Sequence, residues 1–529
     1  MDNAIVFRRL CRVNIERLLS IAGILSCFLA LFHFIAYPYL NHLSFLSHDN
    51  VGLVFLNTGR EALNNSKLVE SDTVSKKNGS GPLDDNLTTE NSVLSVASNK
   101  EEQEITRSDF PLSLTDIPVI ARKKGGKAMS ISQMTSLIVY NSTEKKPKRL
   151  KWSSRGDHEL QLAKFQIQNA PVQRNIPEDL VSLFRNYSVF KRSYELMEST
   201  LKVYVYREGE KPIFHLPYLR GIYASEGWFM KLMEKNKKFV VKEPKKAHLF
   251  YLPFSSVKLR NELNRSGIGS KKNVESYLEN CVDIIATKYR FWNKRGGADH
   301  FFVACHDWAL RATNKIFGNC IRVLCNSNIA RGFKIGTDVS LPVTYIRSSE
   351  NPLKDIGGYP PSDKPILAFF AGGMHGYLRP ILLQYWHNKE PDMKIIGPIS
   401  RDVEGKARYR ELMKSSKYCI CAKGYEVHTP RVVESIYYEC VPVIISDNYV
   451  PPLFEVLNWE SFALFVLEKD IPNLRDILVS IPEERYVMMQ RRLKLVRPYF
   501  VWHKEPQRYD LFHMILHSVW YNRVLQVSR

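Results

Sequence analysis

Two arginines, two carboxylates and a histidine stand where side-chain type and spacing suit chemistry on an anion. In the run PILAFFAGGMHGYLRP, glycines 372, 373 and 376 follow an apolar stretch and precede Arg379. Glycine there lets backbone amides approach a ligand, and a helix opening near Leu378 would aim the positive end of its dipole at phosphate. Arg379, in the first turn, then suits a charge-assisted pair with a diphosphate. The same glycines serve equally in a bare strand-to-helix turn. In GYEVHTPRVVESIYYECVPVIISD, Thr429 suits an N-cap and Pro430 the first helical position. Arg431 and Glu434, three residues apart, then lie on one helix face. An arginine near the positive end of a helix dipole is unfavourable unless an anion sits there, and a carboxylate one turn on can accept both hydroxyls of a ribose. An ordinary Arg/Glu surface pair is the alternative reading. His306 and Asp307 directly follow the apolar run HFFVAC. They are the candidates for a general base acting on a hydroxyl, a role that needs a proton acceptor beside the reacting oxygen. A His-Asp at a strand end also serves structure, and Glu226 and Glu426 are weaker candidates. The chain contains no Asp-x-Asp, an arrangement that holds a metal on a diphosphate, so no metal site is expected.

These residues need elements to hold them. LKVYVY (201–206), HLFYLP (248–253) and HFFVAC (300–305) are short β-rich runs, with helix-like segments at 224–235 and 274–293 between them. Strands alternating with helices imply parallel βαβ units. After a Gly/Pro/Ser/Asp-rich connection at 348–364 the alternation restarts with PILAFFAG (365–372), KYCICAKG (417–424) and VPVIISD (441–447), which predicts a second α/β unit. In such sheets ligands bind in the crevice beyond the carboxyl ends of the strands, where all the candidate residues fall.

Several of these segments, with FHLPYLRGIYASEGWFM, KKAHLFYLPFS, GADHFFVACHDWA, KIGTDVSLP, FFAGGMHGYLRP and YVPPLFEVLNW, resemble in the same order the exostosin-like family, glycosyltransferase family 47, and its plant cell-wall members in particular. The resemblance covers roughly residues 177–510. It implies a GT-B architecture of two Rossmann-like domains, a nucleoside-diphosphate sugar donor held by the second, and inversion at the anomeric carbon. It places Arg379 at the diphosphate and Arg431 and Glu434 at the nucleotide, with Gly372, Gly373 and Lys423 completing the expected donor-binding set. Asp307 and His306 become the expected catalytic pair. No cofactor or metal is expected beyond the donor. The chain departs from the related pattern at Leu310, where Pro is usual, at His428 and Thr429, where Asn-Ser is frequent, and at Tyr377, where a smaller turn is common. His428 and Tyr377 bear on donor choice or on the level of activity.

Residues 18–40 carry no Asp, Glu, Lys or Arg and are long enough to span about 30 Å of hydrocarbon. Arg8, Arg9, Arg12 and Arg17 precede them and no Lys or Arg follows until Arg60, which predicts a cytosolic tail (1–17) and a lumenal remainder. The apolar run exceeds a signal-peptide core and lacks a small-x-small site, so an uncleaved anchor is expected. Residues 41–176 are rich in Ser, Asn, Lys and Glu and read as a mostly disordered lumenal stem. Glycosylation sequons stand at Asn64, Asn78, Asn86, Asn141, Asn186 and Asn264. The formal net charge of +21 is concentrated in part between Arg122 and Arg155, which hold ten Lys or Arg against one acid, Glu144. With no zinc-finger, ribonucleoprotein or basic-zipper pattern, this favours anionic sugar nucleotides, polysaccharide or headgroups and excludes nucleic acid as the expected partner. Nine cysteines, seven in the expected lumenal part, show no CxxC or zinc spacing and leave at least one free or paired between chains in an oxidising compartment.

The expectation is therefore an α/β protein: a membrane anchor, a stem, an acceptor domain (177–350) and a donor domain (351–529). It would act as a Golgi type II inverting transferase on pectin or hemicellulose, in a homo- or hetero-oligomer with other transferases or alone. The rivals are a catalytically weak Golgi scaffold of the same fold, and a lumenal glycoside hydrolase, for which no pair of carboxylates is singled out.

Overall fold

A computed structural model of the protein describes residues 128–143 and 154–527, apart from 268, 269 and 353. The expected tail and anchor, most of the stem, and the sequons at Asn64, Asn78 and Asn86 lie outside the described residues. Among the described residues no helix is long and apolar enough to cross a membrane.

Two five-stranded sheets, both wholly parallel, organise the chain. The first contains β1 (Val203–Val205), β2 (Leu249–Tyr251), β3 (His300–Ala304), β4 (Ile321–Leu324) and β5 (Val339–Ser340). The second contains β6 (Ile366–Ala371), β7 (Met393–Ile396), β8 (Ser416–Ala422), β9 (Val441–Ile445) and β10 (Leu464–Phe465). β3 and β9 are buried at every position, as strands covered by helices on both faces must be. The six apolar runs picked out in sequence are β1, β2, β3, β6, β8 and β9, and the helix read at 224–235 is Ala224–Lys235. The segment read as one helix at 274–293 is two, Lys271–Lys288 and Arg290–Arg295, broken at Tyr289, whose backbone is extended.

The sheets differ in winding. The second runs β10-β9-β8-β6-β7, so its first strand sits inside and the order reverses between β6 and β8. That reversal leaves a crevice at the carboxyl ends of these two strands. The first runs β1 to β5 in sequence order. Of the two Rossmann-like units expected, only the second therefore has the strand reversal from which such a unit takes its ligand crevice, because each crossover of the first moves one strand along in the same direction.

Order begins before residue 177. Helices Ile131–Thr143 and Arg155–Gln168 stand in the stretch assigned by composition to the stem. The second opens with a capping box between Ser154 and Asp157 and buries Leu160, Ala163 and Ile167. Its polar composition hid it because only one narrow stripe faces the core. Helix Leu511–Gln526, although last in sequence, packs against β4, β5 and the helix Arg155–Gln168 of the first half. Asn141 lies in the helix Ile131–Thr143, Asn186 caps the helix Tyr187–Thr200 through its side-chain oxygen, and Asn264 is exposed in the last turn of Ser256–Arg265.

Candidate active site

The carboxyl end of β6 runs into Gly372 and Gly373, and Arg379 follows in the first turn of the helix Leu378–Trp386. The residue is 5% exposed, and its guanidinium donates to the carbonyls of Gly373 (2.9 Å) and Ala422 (3.4 Å). Its Nε is buried without a hydrogen-bond partner. Arg431 opens the helix Arg431–Tyr437, one residue later than the sequence reading, with Pro430 at the cap and the Thr429 hydroxyl accepting from Arg431 Nη1 at 3.3 Å. It donates from Nε and Nη2 to the Ala371 carbonyl at 3.1 and 2.5 Å. Both guanidiniums lie over the Phe370 ring, 5.9 and 5.0 Å from its centre. Among the described residues neither forms an ion pair. Burial, with Arg431 adding repulsion, pulls Arg379 down to about 10, still positive at neutral pH. Two cations of like sign, one buried and one partly buried, without an ion pair among the described residues, form a candidate anion site at the switch point of the second sheet.

The glycines make room for it. A β-carbon on Gly372 would collide with Arg431 Nη2, and one on Gly376, whose φ is +73°, with the Gly424 carbonyl. The loops after β6 and β8 are thereby pressed together, and the two arginines come from the two sides of that contact. His375, packed against Tyr425 with ring centres 5.2 Å apart, lies at the same loop, and burial and the neighbouring arginines hold it below its ordinary range.

Glu434 does not pair with Arg431. Its two oxygens accept from Arg347 Nη2 (3.3 Å) and the Tyr409 hydroxyl (2.9 Å), which rules out the bland surface pair and leaves Arg431 free of a carboxylate. Lys423, expected to contact the donor, is instead engaged with Glu468 at 2.5 Å and with the Tyr377 hydroxyl at 2.7 Å. Tyr377 bonds Glu468 in turn. The exposed Tyr377 thus belongs to a network joining the ends of β6, β8 and β10. Arg347 and Tyr409 were not legible as site residues, since a connection and an ordinary helix carry them without a marked motif, and His375, although inside the Gly-rich run, stands out less than the glycines and Arg379 beside it.

Facing this from the first sheet, Cys305, His306 and Asp307 leave β3. Glu226 is fully buried and accepts from Ser255 Oγ (2.6 Å), Ser256 Oγ, and the amides of Cys305 (2.9 Å) and Val257 (3.4 Å). Ser256 Oγ also accepts from the His306 amide at 3.0 Å. Glu226 is therefore the fastening of the β3 loop and has no path to a substrate hydroxyl. His306 stacks on Tyr223 at 4.9 Å, and burial drops it to about 4, so it is neutral. Asp307 accepts from His428 Nε2 at 3.1 Å and is bonded to the Tyr223 hydroxyl. Burial pushes its carboxyl up, but His428, His306 and Tyr223 together outweigh this and hold it below the ordinary range. Its side chain keeps 38% exposure, enough to meet a substrate. Glu426 binds Arg311 (2.8 Å) and Arg331 (2.6 Å) from the first half and so joins the halves rather than serving as a base. Leu310 is wholly buried beside this loop.

Disulfide Cys305–Cys325 ties the carboxyl ends of β3 and β4, Cys419–Cys440 ties the middle of β8 to the residue before β9, and Cys281, Cys320 and Cys421 are free. Among the described residues no group of three or more His, Cys, Asp or Glu is arranged to hold a metal ion.

A domain model described as the exostosin GT47 domain matches residues 197–481, which include every residue of this site. A probable glycosyltransferase of Arabidopsis thaliana is 42% identical over 375 residues, covering 70% of this chain and 71% of its own. A second Arabidopsis thaliana protein of the same description is 41% identical over 390 residues, covering 70% and 82%. A probable glucuronosyltransferase of Oryza sativa subsp. japonica is 29% identical over 304 residues, covering 52% and 69%.

Proposed function

The chain belongs to the exostosin family, glycosyltransferase family 47, and from that premise we propose that it transfers a sugar from a uridine-diphosphate sugar to a hydroxyl of a cell-wall polysaccharide, pectic or hemicellulosic, with inversion. The observation that carries this is the pair of Arg379, buried, and Arg431, partly buried, neither in an ion pair among the described residues, at the strand reversal of the second sheet. We read the two sheets as the acceptor and donor halves of a GT-B enzyme, held in the Golgi lumen by residues 18–40 as a type II anchor.

The acceptor oxygen attacks the anomeric carbon as the bond from that carbon to the β-phosphate oxygen breaks. The departing oxygen gains negative charge, and two fixed guanidiniums stabilise that charge better than they stabilise the bound donor. The hydroxyl proton passes to Asp307, a carboxylate that follows β3, is held below the ordinary aspartate range and keeps 38% side-chain exposure. His306, neutral and stacked, fixes the loop. Glu434 suits the ribose hydroxyls once one of its present partners gives way. Arg347 is the candidate to do so, being the longer contact.

The test is ligand-induced thermal stabilisation of the purified protein by a panel of nucleoside diphosphates and nucleotide sugars. UDP and at least one UDP-sugar are expected to stabilise it. Arg431→Ala should weaken that binding roughly tenfold to a hundredfold, the worth of a charge-assisted contact of about 1.5–3 kcal/mol. A folded protein indifferent to the whole panel would instead support the scaffold reading.

A further inference from the structure

We infer that His428 is a positioning residue for this transfer: supplied by the second sheet, it holds the Asp307 carboxylate of the first sheet in the orientation that receives the acceptor proton. The inference rests on the reading of Asp307 as the base.

His428 follows β8 and Asp307 follows β3, so the 3.1 Å bond between them spans the two halves. Its imidazole is 6% exposed, and Nδ1 is buried without a hydrogen-bond partner. That geometry fits the tautomer with hydrogen on Nε2, whose one donor is spent on Asp307 and whose bare nitrogen needs no donor. The His428 side chain is 6% exposed and has little surface to offer a substrate, whereas that of Asp307 is 38% exposed. The division of labour follows: Asp307 touches the acceptor, and His428 acts through it.

The other groups that bear on Asp307 are Tyr223 from the segment before Ala224–Lys235 and His306 from its own loop, with Arg260 of Ser256–Arg265 acting on His306. Tyr223 also bonds the carboxylate but comes from the same half. It cannot make the base depend on the position of the donor half. His428 can, because its loop begins at Gly424, against which Arg379 lies. Occupation of the arginine pair and orientation of the base are thereby mechanically linked through residues 424–428.

Removing a donor from a carboxylate makes it harder to ionise, so the acid limb of the pH–rate profile should move to higher pH. The expected displacement for His428→Ala is about half to one pH unit, water screening part of the effect at a half-exposed group. On that limb the rate falls about threefold to tenfold, with KM for the donor little changed. His428→Gln, which retains an N–H at the same reach, should restore most of it.

The experiment measures UDP release from a panel of UDP-sugars by the full-length chain in detergent, across pH 3–8 so that the acid limb of a carboxylate held below the ordinary aspartate range falls inside the window, for wild type and both variants. Alongside it runs a thermal-denaturation double-mutant cycle of His428→Ala with Asp307→Asn, which reads the pair without needing turnover. Non-additive stabilities with a limb that moves up and returns in the Gln variant support the inference. Additive stabilities overturn the pair. Non-additive stabilities with an unmoved limb overturn the positioning role, leaving a structural latch. A wild type stabilised by UDP that turns over no donor overturns the base reading and this role with it, while the cycle still reports whether the contact exists.

Discussion

At the scale of single residues, the site is defined by which charges are answered and which are not. Glu226, Glu426, Glu434 and Lys423 all have charged or hydrogen-bonding partners, and Arg379 and Arg431 have carbonyls, the Thr429 hydroxyl and an aromatic face but no carboxylate among the described residues. Glu226 shows how far the answered ones are committed. Two backbone amides, of Cys305 and Val257, point one at each of its oxygens, and an amide cannot reverse its role. Glu226→Gln must set its NH2 against one of these donors, leaving a buried N–H unpaired at a cost of about 1–3 kcal/mol. Urea denaturation should show that loss together with lower transfer activity, since the loop carrying Asp307 hangs on the same carboxylate. Unchanged stability in Glu226→Gln would mean that the amides are satisfied some other way. Burial raises the Glu226 pKa, so this group favours the folded state below the ordinary glutamate range and penalises it as pH rises through the raised value. Its four donors limit that penalty at neutral pH.

At the scale of elements, two loops after adjacent parallel strands are brought together by glycines. Gly372 is the clearest case, because its missing side chain is the space in which Arg431 Nη2 lies. Gly372→Ala should therefore displace Arg431 while leaving the fold standing, since the colliding atom is the end of a flexible side chain and not backbone. Isothermal titration should show UDP affinity falling to about the level of Arg431→Ala, within a factor of a few. Full affinity in the alanine variant would place the anion elsewhere. Much at this scale was legible in sequence: strand-forming runs marked six of the ten strands among the described residues, and the Gly-rich turn and the Pro-Arg helix start marked the two loops that the structure brings together. The other four strands are two to four residues each, as short as β1 and β2, which the longer apolar runs 201–206 and 248–253 flagged, and β7 alternates buried with less buried positions. Such pieces are specified by the neighbours they pair with, and a local pattern carries little of that. The partners of Lys423 and Glu434 were illegible for a similar reason: Glu468 and Arg347 are 45 and 87 residues away in sequence and meet them only through the strand order.

At the scale of the whole molecule, the folded body starts earlier than composition indicates. Asp157, in the first turn of Arg155–Gln168, is 3% exposed and pairs with Arg295 and, at 3.7 Å, with Arg523 of the last helix. Burial alone would raise its carboxyl, but the Ser154 bonds and Arg295 outweigh it and hold the carboxyl below the ordinary aspartate range. Lys164 of the same helix donates to the carbonyls of Leu525 and Val527, both at 2.9 Å, closing the end of Leu511–Gln526. One helix from the nominal stem therefore shares with Asp299 the neutralising of two buried arginines and caps the helix that returns to the first sheet. Asp157→Asn would leave Arg295 and Arg523 to share Asp299, 3.2 Å from Arg295, and should cost about 1.5–3 kcal/mol, the worth of a hydrogen bond to a charged group. A fragment beginning at residue 177 loses the pair, the cap and the apolar stripe together, and should be less stable than one beginning near residue 128. In wild type the contribution of a depressed carboxyl is present above the unfolded pKa of about 3.9 and is lost as pH falls through the folded value. The stability gap between wild type and Asp157→Asn should accordingly be full at pH 7 and narrow below pH 4. Denaturation midpoints at those two pH values decide it: a gap that stays constant, or a 177-onward fragment as stable as the longer one, would show that the helix rests on the body without supporting it.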